Sequence, residues 1–194
     1  MSRWGLVVLL AALAPTTTEA GWPESSREYE VKAAFLYKFA SFVEWPDASH
    51  HDPLGICVVG QDPFGSALER IVEGKTIGGR EFVILRFKTW RAGAPCHILF
   101  VAASEKARLR PLLRQLRHVA VLTVGDVQDF CAAGGAINLR VAGGKVKLEI
   151  NLDSTAKSGL QVSSKLLSLA RIVRSSAITE SAPFSASVAD GLRE

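Results

Sequence analysis

The sequence predicts an α/β fold: a three-layer, mostly parallel sheet with a C-terminal β-hairpin and helices on both faces. Three observations predict it. Short apolar runs alternate with stretches of helical periodicity along the chain. Two strand-like arms flank Ala142-Gly143-Gly144, which is a hairpin signal. No internal repeat and no linker interrupts the pattern, so residues 21–175 are expected to form one domain around one core.

The first 20 residues read as a signal peptide. Arg3 supplies the positive region and Trp4 to Ala14 the apolar one, about 11 residues where a membrane span needs ~20. Thr18-Glu19-Ala20 offers small residues for cleavage. The mature chain is therefore expected to be soluble and exported.

Residues 28–46, EYEVKAAFLYKFASFVEWP, then predict a broad amphipathic helix. Val31, Phe35, Phe39 and Phe42 line one stripe, with Leu36, Ala40 and Val43 beside it. Glu30, Tyr37, Ser41 and Glu44 fall opposite, and Trp45-Pro46 ends the helix. Lys32 lies inside the apolar arc. Its stem snorkels over the core, or its ammonium pairs with a carboxylate or meets a partner.

Leu54–Gly60 reads as a strand and Pro63–Glu73 as a helix, with Asp62 as N-cap and Gly74 as terminator. Phe64, Leu68, Ile71 and Val72 form that helix's apolar face. Glu81–Phe87 is a second strand, Lys88–Pro95 a turn-rich segment and Cys96–Ala102 a third strand. Ser104 opens a basic helix with Leu109, Leu112, Leu113 and Leu116 inward. Pro111 requires it to start near Arg110 or to kink. Val119–Val124 is a fourth strand and Val127–Ala133 a short helix. The hairpin arms are Ala136–Val141 and Lys145–Leu152. In the second arm Val146, Leu148 and Ile150 face one side and Lys147, Glu149 and Asn151 the other, a polar face expected to point outward. A last helix is expected from Ser163 to Val173, burying Val162, Leu166, Leu169 and Val173. The Ser- and Ala-rich stretch at 176–194 lacks periodicity and is expected to be disordered.

The sequence is poor in catalytic chemistry. Gly74-Lys75-Thr76 resembles the end of a phosphate-binding loop, but Glu69 stands where that loop needs its first glycine. His50-His51-Asp52 has no partner cluster nearby in sequence, so no metal site is expected. His97 fits packing as well as catalysis. Asp126, at the carboxyl end of a predicted strand, is read as a cap for the next helix; a functional residue at a strand end is the alternative. Lys106, Arg108, Arg110, Arg114 and Arg117 are read as a solvated helix face, since an exported protein rarely meets nucleic acid. No cofactor is implied. Of the three cysteines, Cys57 and Cys96 can bond if their apolar runs are neighbouring strands; three buried thiols are the alternative.

Three blocks resemble the YfiR-like family of periplasmic regulators. They are residues 28–46, the run ICVVGQDPFGSALERIVEGKTIGGREFVILRF at 56–87 with CHILFVAASE at 96–105, and LTVGD at 122–126 followed by INLRVAGGKVKLEINLDSTAKSGLQVSSKLLSLARIV at 137–173. The resemblance implies a non-enzymatic, dimeric, periplasmic protein. It would bind and repress the sensor region of an inner-membrane diguanylate cyclase, lowering cyclic di-GMP and biofilm formation. An outer-membrane peptidoglycan-binding lipoprotein would relieve it. It also implies a Cys57–Cys96 disulfide. It gives Cys131 a partner position that is Asn138 here, and it puts partner contacts at Glu149, Asn151, Asp153 and Lys157. A periplasmic small-ligand-binding protein is the second reading, with its ligand near Gly60-Gln61-Asp62 and Gly125-Asp126.

Overall fold

The structure, a computed structural model, describes residues 24–46 and 53–174. The predicted signal peptide, the His50-His51-Asp52 loop and the predicted disordered tail lie outside the described residues.

The chain opens with helix α1, Glu24–Phe39, and strand β1, Val43–Glu44. Next come β2 (Leu54–Val59), α2 (Ala67–Val72), β3 (Thr76–Ile77), β4 (Arg80–Phe87) and β5 (Ile98–Val101). A 3-10 segment, Ala103–Arg108, leads into α3, Leu109–Gln115, and then β6, Leu122–Gly125. The last third holds β7 (Ile137–Ala142), β8 (Lys145–Asn151), α4 (Leu152–Lys157), β9 (Gln161–Val162), α5 (Ser164–Leu167) and β10 (Ala170–Val173).

Eight strands form one sheet in the order β10-β8-β7-β6-β5-β2-β4-β3. Neighbours run parallel except in the β7–β8 hairpin and the β3–β4 pair. The expected mostly parallel three-layer sheet is thus the observed one. Alternating strand residues feed two cores. Ile56, Val58, Ile98, Phe100, Leu122 and Val124 pack under α1 and α2. Cys57, Val59, Leu99 and Val101 pack under α3 with Leu109, Leu112, Leu113 and Leu116. Lys106, Arg108, Arg110, Arg114 and Arg117 are all exposed, as a solvated face requires. Cys57 and Cys96 are bonded, with Cα atoms 5.8 Å apart. Cys131 is buried as a free thiol.

Several expectations are corrected. The first helix stops at Phe39, not at Trp45-Pro46, because Phe42 turns back on Phe39 O and Val43–Glu44 then pairs with β9. Val31 is 45 % exposed, so the buried stripe is centred on Lys32, Ala33, Leu36, Phe39 and Ala40. α2 begins at Ala67; Asp62 instead accepts from Phe64 N, 2.8 Å, in a local turn before it. The basic helix is 3-10 up to Arg108 and α-helical from Leu109, which puts Pro111 in the first turn, where a missing N–H costs little. Residues 127–134 form turns rather than a helix, with Asp129 at φ 61°.

The largest correction is at the C-terminus. The helix expected over Ser163–Val173 is only the short α5, and Ala170–Val173 is an edge strand parallel to β8. Leu169, expected to be buried, is 72 % exposed. The β-branched pair Ile172-Val173 favours the pleated form, and the unfilled edge of β8 provides its hydrogen bonds.

Candidate functional site

The hairpin and the strand that follows it place the candidate site. Gly143 and Gly144 both take positive φ, 59° and 68°, as a two-residue primed turn requires. That turn fixes the register: Ala142 faces Lys145, Arg140 faces Lys147 and Asn138 faces Glu149. β10 then sets Arg171 opposite Glu149 on the other side of β8. Asn138, Glu149 and Arg171 therefore share one face of the sheet.

Glu149 and Asn151 were expected to point outward; the structure turns both inward, 5 % and 0 % exposed. The turn segment 127–136 lies across that face, and β10 walls its side. The Asn151 amide donates to Cys131 O at 2.7 Å, and its oxygen accepts from Ser154 N at 3.1 Å to cap α4. Asn151 is thus a structural cap. Lys157 is exposed and Asp153 half-buried on α4. Lys147 is exposed as expected.

Glu149 is the hub of the site. It accepts from Arg140 at 3.0 Å, from Asn138 at 3.3 Å and from Arg171. Burial alone pushes its carboxyl toward the neutral acid. The hydrogen bonds from Arg171, Arg140 and Asn138 outweigh that and hold it below its ordinary value. The same contacts raise Arg171. Behind the hub, burial pushes the Cys131 thiol up to about 12, and the Glu149 charge adds to the rise. Such a thiol is a poor nucleophile.

In front of the hub lies an open groove of about 290 Å³. Arg140, Lys147 and Arg171 form its rim, and Ala142, Leu148 and Leu169 line it. Arg140 and Arg171 are more than half exposed although both hold Glu149.

The strand ends, where an α/β sheet holds small ligands, are filled. The order of strands reverses between β2 and β5. There Ser104 Oγ accepts from Gln61 N at 2.8 Å. A Cβ on Gly60 would stand 2.5 Å from that hydroxyl and 2.9 Å from Glu105. Glu105 is 5 % exposed and paired with Arg108 at 2.9 Å. One strand over, the Asp126 side chain is 5 % exposed and accepts from Lys32 at 2.7 Å and from Tyr29 at 2.8 Å. Asp126 does not cap a helix; it anchors α1. Lys32, 2 % exposed, pairs with Asp126 and Glu28 rather than snorkelling. Burial, and then the bond to Asp126, raises the Tyr29 hydroxyl above its ordinary range.

His97 serves packing. Its Nδ1 accepts from Gly55 N at 3.1 Å, Trp45 stands edge-on to its ring, and Arg80 touches its other nitrogen at 2.7 Å. Among the described residues, no group of three or more His, Cys, Asp or Glu could hold a metal ion. Among them, too, no helix is long and apolar enough to cross a membrane.

Sequence reasoning missed Arg140, Arg171 and Leu169 as site residues. The Asn138–Glu149 and Arg140–Lys147 pairings follow from a two-glycine turn and were within reach. Arg171 is not, because the apolar spacing around its strand is helical.

A family model described as YfiR/HmsC-like matches residues 29–171, from the first helix through the edge strand. The matched span takes in the hairpin, the Glu149 hub, the disulfide and the filled strand ends. This family is one of periplasmic regulators in diguanylate cyclase signalling. With most of its length matched, the chain belongs to the YfiR/HmsC-like family.

Proposed function

We propose that this chain is an exported, non-enzymatic repressor that binds the periplasmic sensor region of an inner-membrane diguanylate cyclase and lowers cyclic di-GMP output and biofilm formation. The observation that carries the reading is the filled strand ends in a chain of this family. The place where an α/β enzyme or small-ligand binder would keep its substrate is occupied by Lys32, Tyr29, Ser104 and Glu105. That favours recognition by a surface over recognition in a crevice.

Repression by binding requires preference for one state of the cyclase. To hold a two-state receptor from mostly on to mostly off, the repressor must bind the off state about 10⁴-fold more tightly. Cyclic di-GMP is made in the cytoplasm, so the repressor acts across the membrane without touching it. β8 and the segment after it, with Glu149, Asn151, Asp153 and Lys157, support the partner surface. Glu149 and Asn151 act there through the residues they hold; Asp153 and Lys157 are accessible. Capture by an outer-membrane peptidoglycan-binding lipoprotein and assembly as a homodimer belong to the same proposal.

The test is a deletion strain complemented with this chain, with cyclic di-GMP measured by mass spectrometry and the sensor region tested by pull-down. The expected result is raised cyclic di-GMP on deletion, restoration on complementation and recovery of the sensor region. Unchanged cyclic di-GMP in the deletion strain, with no captured sensor region, overturns the proposal.

A further inference from the structure

β10 is an edge strand. Among the described residues it pairs with β8 on one side and with no strand on the other. Such an edge presents outward N–H and C=O groups that can template another strand. Protein edges are usually blunted by charge, proline or a covering loop. This one carries one charge, Arg171, with apolar Ile172 beside it and Leu169 just before the strand, 43 % and 72 % exposed.

The two faces of the edge differ in chemistry. Arg171 shares the face of Glu149, where Arg140 and Lys147 complete the rim of the groove. Three cations stand there around one carboxylate, and that carboxylate already accepts from two of them. Lys147 has no ion-pair partner among the described residues. Ile172 lies on the opposite face, level with Ile150. A strand laid along β10 would meet a cationic groove with every second side chain and an apolar strip with the others.

We propose that this edge docks an extended segment of a protein partner in which acidic and apolar residues alternate. Main-chain hydrogen bonds to β10 hold the segment. Its carboxylates meet Arg140, Lys147 and Arg171, and its apolar residues cover Ile172. Naming the cyclase's sensor region as the source of the segment rests on the proposed function; the edge itself does not.

The first measurement is hydrogen exchange on the full chain with a capped peptide of about ten residues, a typical strand's length or somewhat more, alternating glutamate with valine and threonine. A lysine-for-glutamate peptide is the control. The acidic peptide is expected to slow exchange at Ala170–Val173, and the control is not. Lys147→Glu with Leu169→Asp, both at exposed positions, is expected to weaken the acidic peptide about tenfold or more. Equal binding of both peptides, or none of either, overturns the inference. So does protection of these amides in the free chain that disappears on dilution, which would make a second copy the occupant. Protection that disappears on deleting residues 175–194 would do the same in favour of the chain's own tail.

The second measurement titrates the sensor region. Loss of its binding in the double variant supports the inference. Full binding by the double variant overturns the edge as the dock and leaves the proposed function standing. Acidic-peptide binding without sensor-region binding supports the edge and overturns the proposed function.

Discussion

Glu149 is a carboxylate that the fold withdraws from water while keeping it charged. Its folded-state value lies below the ordinary 4.5, so the stability it contributes is fully present above that value. That contribution is lost as pH falls through the lower, folded-state value. Urea midpoints between about pH 3 and 7 should therefore drop on the acid side, and Glu149→Gln should flatten that limb. An unchanged acid limb in the variant would show that the hub contributes nothing to it. Asp126 poses the sharper case, because its partner Lys32 is buried more deeply than any other lysine in the described chain. Asp126→Ala leaves the buried ammonium with Glu28 as its remaining carboxylate and should cost about 3 kcal/mol, read as a shift in the urea midpoint. Lys32→Leu with Asp126→Leu should recover most of that loss, since two apolar groups replace a desolvated pair. These roles were only partly legible. Lys32 stood out in the sequence as a charge inside an apolar arc, but its partner lies 94 residues away, and no local pattern reaches that far.

Local period decided which elements could be read in advance. Strands in the sheet's centre carry continuous apolar runs, and the hairpin carries its own turn signal, so their existence and order followed from the sequence. The stretch SKLLSLARIV satisfies a helical spacing and a strand composition together. The choice is made by β8, whose open edge lies elsewhere in the chain. For the same reason Val127–Ala133 looked helical. Its real task is to cover Asn151 and Glu149, and it does so in turns, with Gly135 passing so close to Phe130 that a Cβ would stand 2.1 Å from the ring. Gly55 makes the comparable demand inside β2, where a Cβ would stand 1.9 Å from Pro95 O. Backbone cannot yield as a side-chain tip does, so Gly55→Ala should destabilise by about 3 kcal/mol. Thermal unfolding measures it, and a midpoint within a degree or so of the parent would show that the 95–97 crossing is soft.

At the scale of the whole molecule, the disulfide ties Cys96, just before β5, to Cys57, the fourth residue of β2, across a separation of 39 residues. In the chain-entropy model a loop of that size is worth about 4 kcal/mol. Replacing both Cys57 and Cys96 by serine should lower unfolding free energy by roughly that amount, measured by urea denaturation under non-reducing conditions. A loss below ~1 kcal/mol would show that the reduced chain already holds this loop closed. The staple joins β2 to the segment before β5 and links none of the strands β6, β7, β8 and β10. Cys131, between β6 and β7, stays alone and inert. That division has a bearing on how the chain matures. One bond among three cysteines can form in three ways. Under the proposed export, a chain threaded amino end first through a translocon delivers Cys57 and then Cys96 to the oxidant while Cys131 is still inside. The native pair is then the first pair on offer, and the third sulfur arrives later, buried as its own turn folds against β8. Matured in that order, the chain is expected to need an oxidase and no isomerase.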